Sequence, residues 1–185
     1  YGNDLSVLEG RFAPKDSLAS MLKLLRPIKK GHTDKVKEKY KLLLVPHFVK
    51  TPETREPKKI ITFRDLKLRV KNRRSLEVLL TCMKQKAFKE LIVGFDAAAN
   101  ELHARPEAFA PVFRKLGFLG YKNFTYHAGE DYIHLLSGMR TIYEAVEFLE
   151  MCSGNRIGHG TAIGIEPELW LERLNGCSLG MSRGV

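Results

Sequence analysis

The chain has 185 residues, 44% hydrophobic and 28% charged, with a formal net charge of +10. That is enough chain for one domain with a real core, in an ordinary globular composition. No apolar run approaches the ~18 residues of a membrane span and no signal-peptide core opens the sequence, so a soluble, cytoplasmic protein without a membrane partner is expected.

Three cysteines, Cys82, Cys152 and Cys177, lie far apart and form no CxxC pair, which argues against a disulfide framework and a cysteine-rich zinc site. The basic excess is concentrated in residues 23–74, in runs such as Lys29, Lys30 and Lys71, Arg73, Arg74. Such a face can attract nucleotide phosphates or nucleic acid. No aromatic-interleaved basic motif accompanies it, so nucleic acid is not the expected partner, and a solvated surface or an interface is the plainer reading.

In chain order, residues 1–40 read as an irregular and helical lead-in. Asp16 or Ser17 can cap a helix through Ala19, Met21, Leu22 and Leu25, which Pro27 should stop. Residues 41–50 are a short apolar run bounded by lysines, the pattern of a buried strand. Residues 51–73, with Pro52, Pro57 and many charges, read as a long excursion. Ser75 should then cap a helix carrying Leu76, Val78, Leu79, Leu80 and Met83. Residues 90–96 give a second buried strand. A helix is expected from Pro106 through Phe109, Val112, Phe113 and Leu116 to Gly117. Residues 122–127 form a third strand, and a helix starting at Tyr132 or Ser137 runs to Cys152. Arg156 to His159 is a fourth strand, followed by a helix behind Pro167.

Strands and helices therefore alternate, which predicts a parallel sheet covered by helices in residues 41–176, with 177–185 as a tail. His47, Asp96, His127 and His159 each close a strand. That end of the strands carries the active site in a TIM barrel or in an open doubly wound sheet. Four βα units are half of a (β/α)8 barrel.

A strand-end histidine by itself is more often a hydrogen-bonding residue than a metal ligand. Here His127 is followed by Ala128, Gly129 and Glu130, a tight turn that sets a carboxylate three residues past an imidazole. His159 lies between Gly158 and Gly160, which should give its ring room to face a ligand. Such a cluster suits hydrolysis: a neutral imidazole binds zinc, zinc acidifies water, and a carboxylate carries the proton.

The residues Tyr126, His127, Ala128, Gly129, Glu130, then Arg156, Ile157, Gly158, His159, Gly160, with Val93 to Glu101 upstream, resemble the adenosine deaminase family of the metal-dependent amidohydrolases. In that family these motifs occur in this order on the fourth, fifth and sixth strands of a TIM barrel. The resemblance covers residues 41–170 and implies strands three to six of such a barrel. It implies that His127 is a Zn2+ ligand, that Glu130 donates a proton to the purine ring, and that His159 positions and activates the zinc-bound water. Asp96 and the loop at Ala99, where many members have glycine, would line the purine. The implied activity is hydrolytic deamination of an adenine nucleoside or nucleotide, a step of purine metabolism.

The His-x-His pair of the family's first strand and its eighth-strand aspartate have no counterpart among these residues. The chain is therefore expected to be a partial barrel from a longer protein, with weak or no activity alone and a tendency to self-associate. A non-catalytic barrel fragment acting in assembly or binding is the alternative, and a hydrolase of the wider amidohydrolase group acting on another ring is a third. Residues 51–73 and 131–138 extend the compact family pattern. They are similar to the large bacterial deaminase-like branch, which includes the deaminase component of an anti-phage defence system acting on adenosine nucleotides.

Overall fold

The computed structural model describes residues 5–35, 40–53, 63–174 and Gly176. Its five strands are β1 (Val7–Phe12), β2 (Lys41–Val49), β3 (Phe95–Ala98), β4 (Phe124–Ala128) and β5 (Arg156–His159). They lie side by side in chain order, all parallel, and curl into a half-barrel. A doubly wound sheet reverses its strand order at a switch point. No reversal occurs along this sheet, so that option is removed.

Helices α1 (Leu18–Lys35), α2 (Leu66–Met83), α3 (Lys86–Lys89), α4 (Ala110–Phe118), α5 (Leu135–Phe148) and α6 (Pro167–Leu174) complete the α/β alternation. Side chains of β4 alternate: Phe124, Tyr126 and Ala128 are buried while Thr125 and His127 are half-buried. The period of two assigns one face of the sheet to the helices and the other to the inside of the half-barrel. On the helix-covered face Phe48, Phe95, Phe124 and Tyr126 meet Met21, Leu25, Leu79, Phe109, Phe113 and Leu116. The edge-to-face pair of Phe109 on Tyr126, with centroids 5.8 Å apart, shows how tightly that core is filled.

Several boundaries differ from the sequence reading. The lead-in contains a strand, β1, whose mostly exposed Val7 and Leu8 give no buried-run signal. Helix α1 passes through Pro27 and continues to Lys35. Met21 and Leu25 are fully buried on one side of that proline and half-buried Ile28 packs on the core beyond it, so tertiary burial overrides the lost hydrogen bond. Helix α2 begins at Leu66, nine residues before Ser75. Its buried stripe of Leu68, Asn72, Ser75, Leu76, Leu79 and Cys82 has helical spacing, so Ser75 is a core position and not a cap. The described part of the 51–73 excursion is thereby shortened to residues 51–53 and 63–65; its middle, 54–62, and the tail with Cys177 lie outside the described residues.

The strand expected over 90–96 is regular only from Phe95. Between the Leu44–Ile92 bridge and the His47–Asp96 pair the register shifts by one residue, beside Pro46, which has no N–H to donate. A bulge at a proline is the natural outcome. The shift brings Asp96 directly opposite His47.

Lys23, Arg26, Lys30, Lys71, Arg73 and Arg74 lie exposed on α1 and α2. Much of the basic excess thus falls on the solvent side of the outer layer. No helix among the described residues is long and apolar enough to cross a membrane.

Candidate functional site

Asp96 is the anchor of the site. Its side chain is fully buried on the inner face, at the second of the four positions of β3 and not at the strand's end as the sequence suggests. His47 of β2 donates from Nδ1 to Oδ2 at 3.1 Å, and His127 of β4 donates from Nδ1 to Oδ1, also at 3.1 Å. Arg11, near the end of β1, brings its Nε to 3.4 Å from Oδ2. One carboxylate thus ties four consecutive strands together.

Burial pushes the Asp96 carboxyl toward the neutral acid, but the hydrogen bonds and charges of His127 and His47 outweigh it and bring its pKa down to about 2. It is therefore an acceptor only, and both Nδ1 atoms must carry hydrogens. The Nε2 atom of His127 is left with its lone pair. This is how a carboxylate prepares an imidazole to bind a cation. The same hydrogen bond raises the pKa of His127, against the opposing effect of its partial burial.

The turn after β4 carries Glu130. Gly129 has φ +83°, a left-handed conformation glycine adopts freely, and a Cβ there would stand 2.4 Å from Ile142 Cδ1. His159 has φ +64° and Gly160 φ +65°, so β5 ends in a sharp curl. The curl brings His159 Nε2 to 3.0 Å from Glu130 Oε2, with the His159 ring 5.2 Å from that of His127. Glu130 and His159 both remain accessible, with side chains 49% and 41% exposed.

The flanking glycines act differently from the sequence reading. A Cβ on Gly158 would meet the His127 ring at 2.6 Å, so this glycine makes room for His127 and not for His159. Gly160 instead supplies the backbone turn. Gly158→Ala is expected to push the His127 ring away from Asp96 and to cost about 2 kcal/mol of stability, measured by urea unfolding. Unchanged stability and an unchanged Nδ1–H signal for His127 would show that the ring has space the structure denies it.

Ala99 sits in the exposed loop beyond β3 at φ +81°, a strained conformation for a residue with a Cβ. Its backbone faces the same end of the sheet as the other candidates.

Structure thus brings Asp96, His127, Glu130 and His159 together at one end of three adjacent strands, with Ala99 in the loop beside them. Sequence reading missed Arg11, Lys50 and Glu101, and left His47 without a partner. Lys50 is 1% exposed and donates from Nζ to the His127 carbonyl oxygen at 2.5 Å. Burial lowers its pKa to about 8 in spite of Glu101, Asp131 and Asp96 nearby. The one hint in the sequence was a lysine directly after an apolar strand. A cavity of about 270 Å³ opens beside His47, lined also by Lys15, Lys71, Asn72 and Ser75.

Among the described residues no group of three or more His, Cys, Asp or Glu side chains is placed to hold a metal ion. The His127 imidazole has the donor chemistry for one ligand, but the described residues do not make a complete metal site.

No protein-family model matches this chain, and no curated protein matches it. Among solved structures, the crystal structure of adenine deaminase from Arthrobacter aurescens is similar, with a TM-score of 0.54 and 16% identity. The similarity covers 92% of this chain but 43% of that one, so the chain spans less than half the length of its structural neighbour. At this identity the likeness is one of fold: the α/β half-barrel matches part of a deaminase.

Proposed function

We propose that this chain is the central part of a deaminase-like (β/α)8 barrel, which hydrolytically removes the exocyclic amine of an adenine nucleoside or nucleotide. The observation that carries the reading is the convergence of His127, fastened through Nδ1 to buried Asp96, with the accessible Glu130–His159 pair. The likeness in fold to an adenine deaminase supports it, as does the resemblance of the three motifs to the adenosine deaminase family. The five strands would then be strands two to six of the closed barrel.

In this reading Glu130 delivers a proton to the ring nitrogen beside the attacked carbon, and His159 orients the attacking water. Asp96 holds the tautomer of His127, and the backbone at Ala99 borders the purine. Zinc would acidify the water and polarise the attacked centre. His127 would be one of its ligands, and the others would come from outside the described residues. Catalysis needs those groups held together, so activity belongs to the whole protein.

The test is ammonia release from adenine, adenosine and adenosine phosphates by the full-length protein, with metal content determined on the same sample. Release from at least one, lost on chelation and restored by zinc, is expected. No release from any of them by zinc-loaded protein overturns the reading. That outcome would leave the non-catalytic barrel segment and a hydrolase acting on another ring as the readings to separate.

A further inference from the structure

Behind the catalytic face lies a second polar group that the proposed chemistry does not use. Lys50 follows β2 and shares the helix-covered side with Phe48, shielded from bulk solvent. Its backbone N–H bonds Ala98 O at 2.9 Å, and Nζ stands 4.4 Å from the centre of the Tyr126 ring while donating to His127 O. Glu101, 7% exposed, accepts from Gly129 N–H through Oε2 at 2.6 Å and from Glu130 N–H through Oε1 at 3.1 Å. Asp131 Oδ2 in turn accepts from the Glu101 N–H at 3.1 Å.

Two further carbonyls of the turn are held from the segment that follows β5. Ala128 O accepts from Gly160 N–H at 3.0 Å, and Gly129 O accepts from Ala162 N–H at 2.9 Å and Thr161 Oγ1–H at 2.5 Å. A buried ammonium and a buried carboxylate add little net stability, since apolar residues of similar volume would do as well. Apolar residues, however, could not receive the two N–H groups of a left-handed turn or bond its first carbonyl.

We infer that Lys50 and Glu101 are positioning residues: acting from behind the sheet, they fix the 127–130 turn so that Glu130 meets His159 while the His127 ring stays on Asp96. Neither touches the reacting atoms. The effect on turnover rests on the deamination proposed above; the effect on the turn does not.

The experiment uses Lys50→Met, Glu101→Gln and Glu101→Asp in the full-length protein, with amide hydrogen exchange as the first readout. In Glu101→Gln one acceptor becomes an NH2 group. The Gly129 and Glu130 amides should then exchange about tenfold faster, with amides of α2 and α4 within about twofold of wild type. Lys50→Met should speed the same two amides. Steady-state kinetics should show kcat reduced about tenfold with KM within about threefold, because the turn is displaced and the purine contacts are kept. Glu101→Asp keeps the charge at shorter reach and should show about a threefold local rise, and it decides the matter if the other variants do not fold. Exchange at Gly129 and Glu130 unchanged, or accelerated no more than in α2 and α4, overturns the inference. Wild-type protein without deaminase activity would defeat the proposed function alone, and the exchange data would still decide on Lys50 and Glu101.

Discussion

Asp96→Asn should destabilise the protein by about 3 kcal/mol at neutral pH, the usual cost of removing one partner from a buried charged network. The amide keeps one oxygen to accept from one imidazole, but its NH2 then confronts the N–H of the other. Arg11 loses its carboxylate as well. The pH dependence fixes the cause. With a folded pKa near 2 against an ordinary 3.8, Asp96 contributes stability that is complete above pH 3.8 and disappears as pH falls toward 2. That contribution is about 2 kcal/mol. His127 behaves oppositely: its raised pKa gives stability present below pH 6.5 and lost as pH rises through the folded value. Wild type and variant should therefore differ most in mildly acidic solution, and their urea midpoints should converge between pH 4 and pH 2. A constant gap through that window would mean the carboxylate's charge is not what holds the histidines.

Glu130→Gln should leave the fold intact, because the side chain is half exposed and its bond to His159 is a surface one. Deamination by the full-length protein should nevertheless fall by about three orders of magnitude, since a glutamine cannot deliver the proton. Zinc content should be unchanged, since the carboxylate is not a ligand in this reading. His127→Ala should show the reverse pattern, with metal lost first. Kinetics and metal analysis on the two variants separate proton donor from ligand. Retained turnover in Glu130→Gln removes it from the chemistry, and zinc lost from that variant would make it a ligand instead.

What could be read from the sequence depended on whether the signal was local. Strands β2, β4 and β5 are short runs bounded by charge or glycine, and the pattern alone locates them. Helices α4 to α6 likewise follow from apolar spacing, but only α6 starts where expected, at Pro167. Helix α4 begins at Ala110 after a separate 3-10 turn over Pro106–Ala108, and α5 runs from Leu135 to Phe148 with His134 as its cap, so Ser137 lies inside it. Strand β1 was hidden because Val7 and Leu8 are largely exposed. The start of α2 was hidden because its first turns show one apolar stripe through a dense run of lysines and arginines, which looks like a solvated loop.

At the site, His127, Glu130 and His159 could be found because their surroundings are themselves a motif. Arg11, Lys50 and Glu101 could not, since each has meaning only through a contact far along the chain: Lys50 reaches a carbonyl 77 residues away, and Glu101 an amide 28 away. The role of Gly158 was misjudged for the same reason. Its neighbour in sequence is His159, but its neighbour across the sheet is His127.

The strand order also has a consequence for how the molecule assembles. Every strand pairs with its predecessor in the chain, so each βα unit can dock on a finished edge, and no early strand waits for a late one to be inserted beside it. Parallel pairing still demands a long crossover before each gain, which makes such docking slow. Asp96 is attached to groups on β1, β2 and β4, so three successive docking events must be complete before its charge is compensated. Until then the carboxylate has few partners and gains by staying in water. The site is therefore among the last features to form, and it should open early when the protein is stressed, while the aromatic layer of Phe113, Phe124 and Tyr126 behind it still holds.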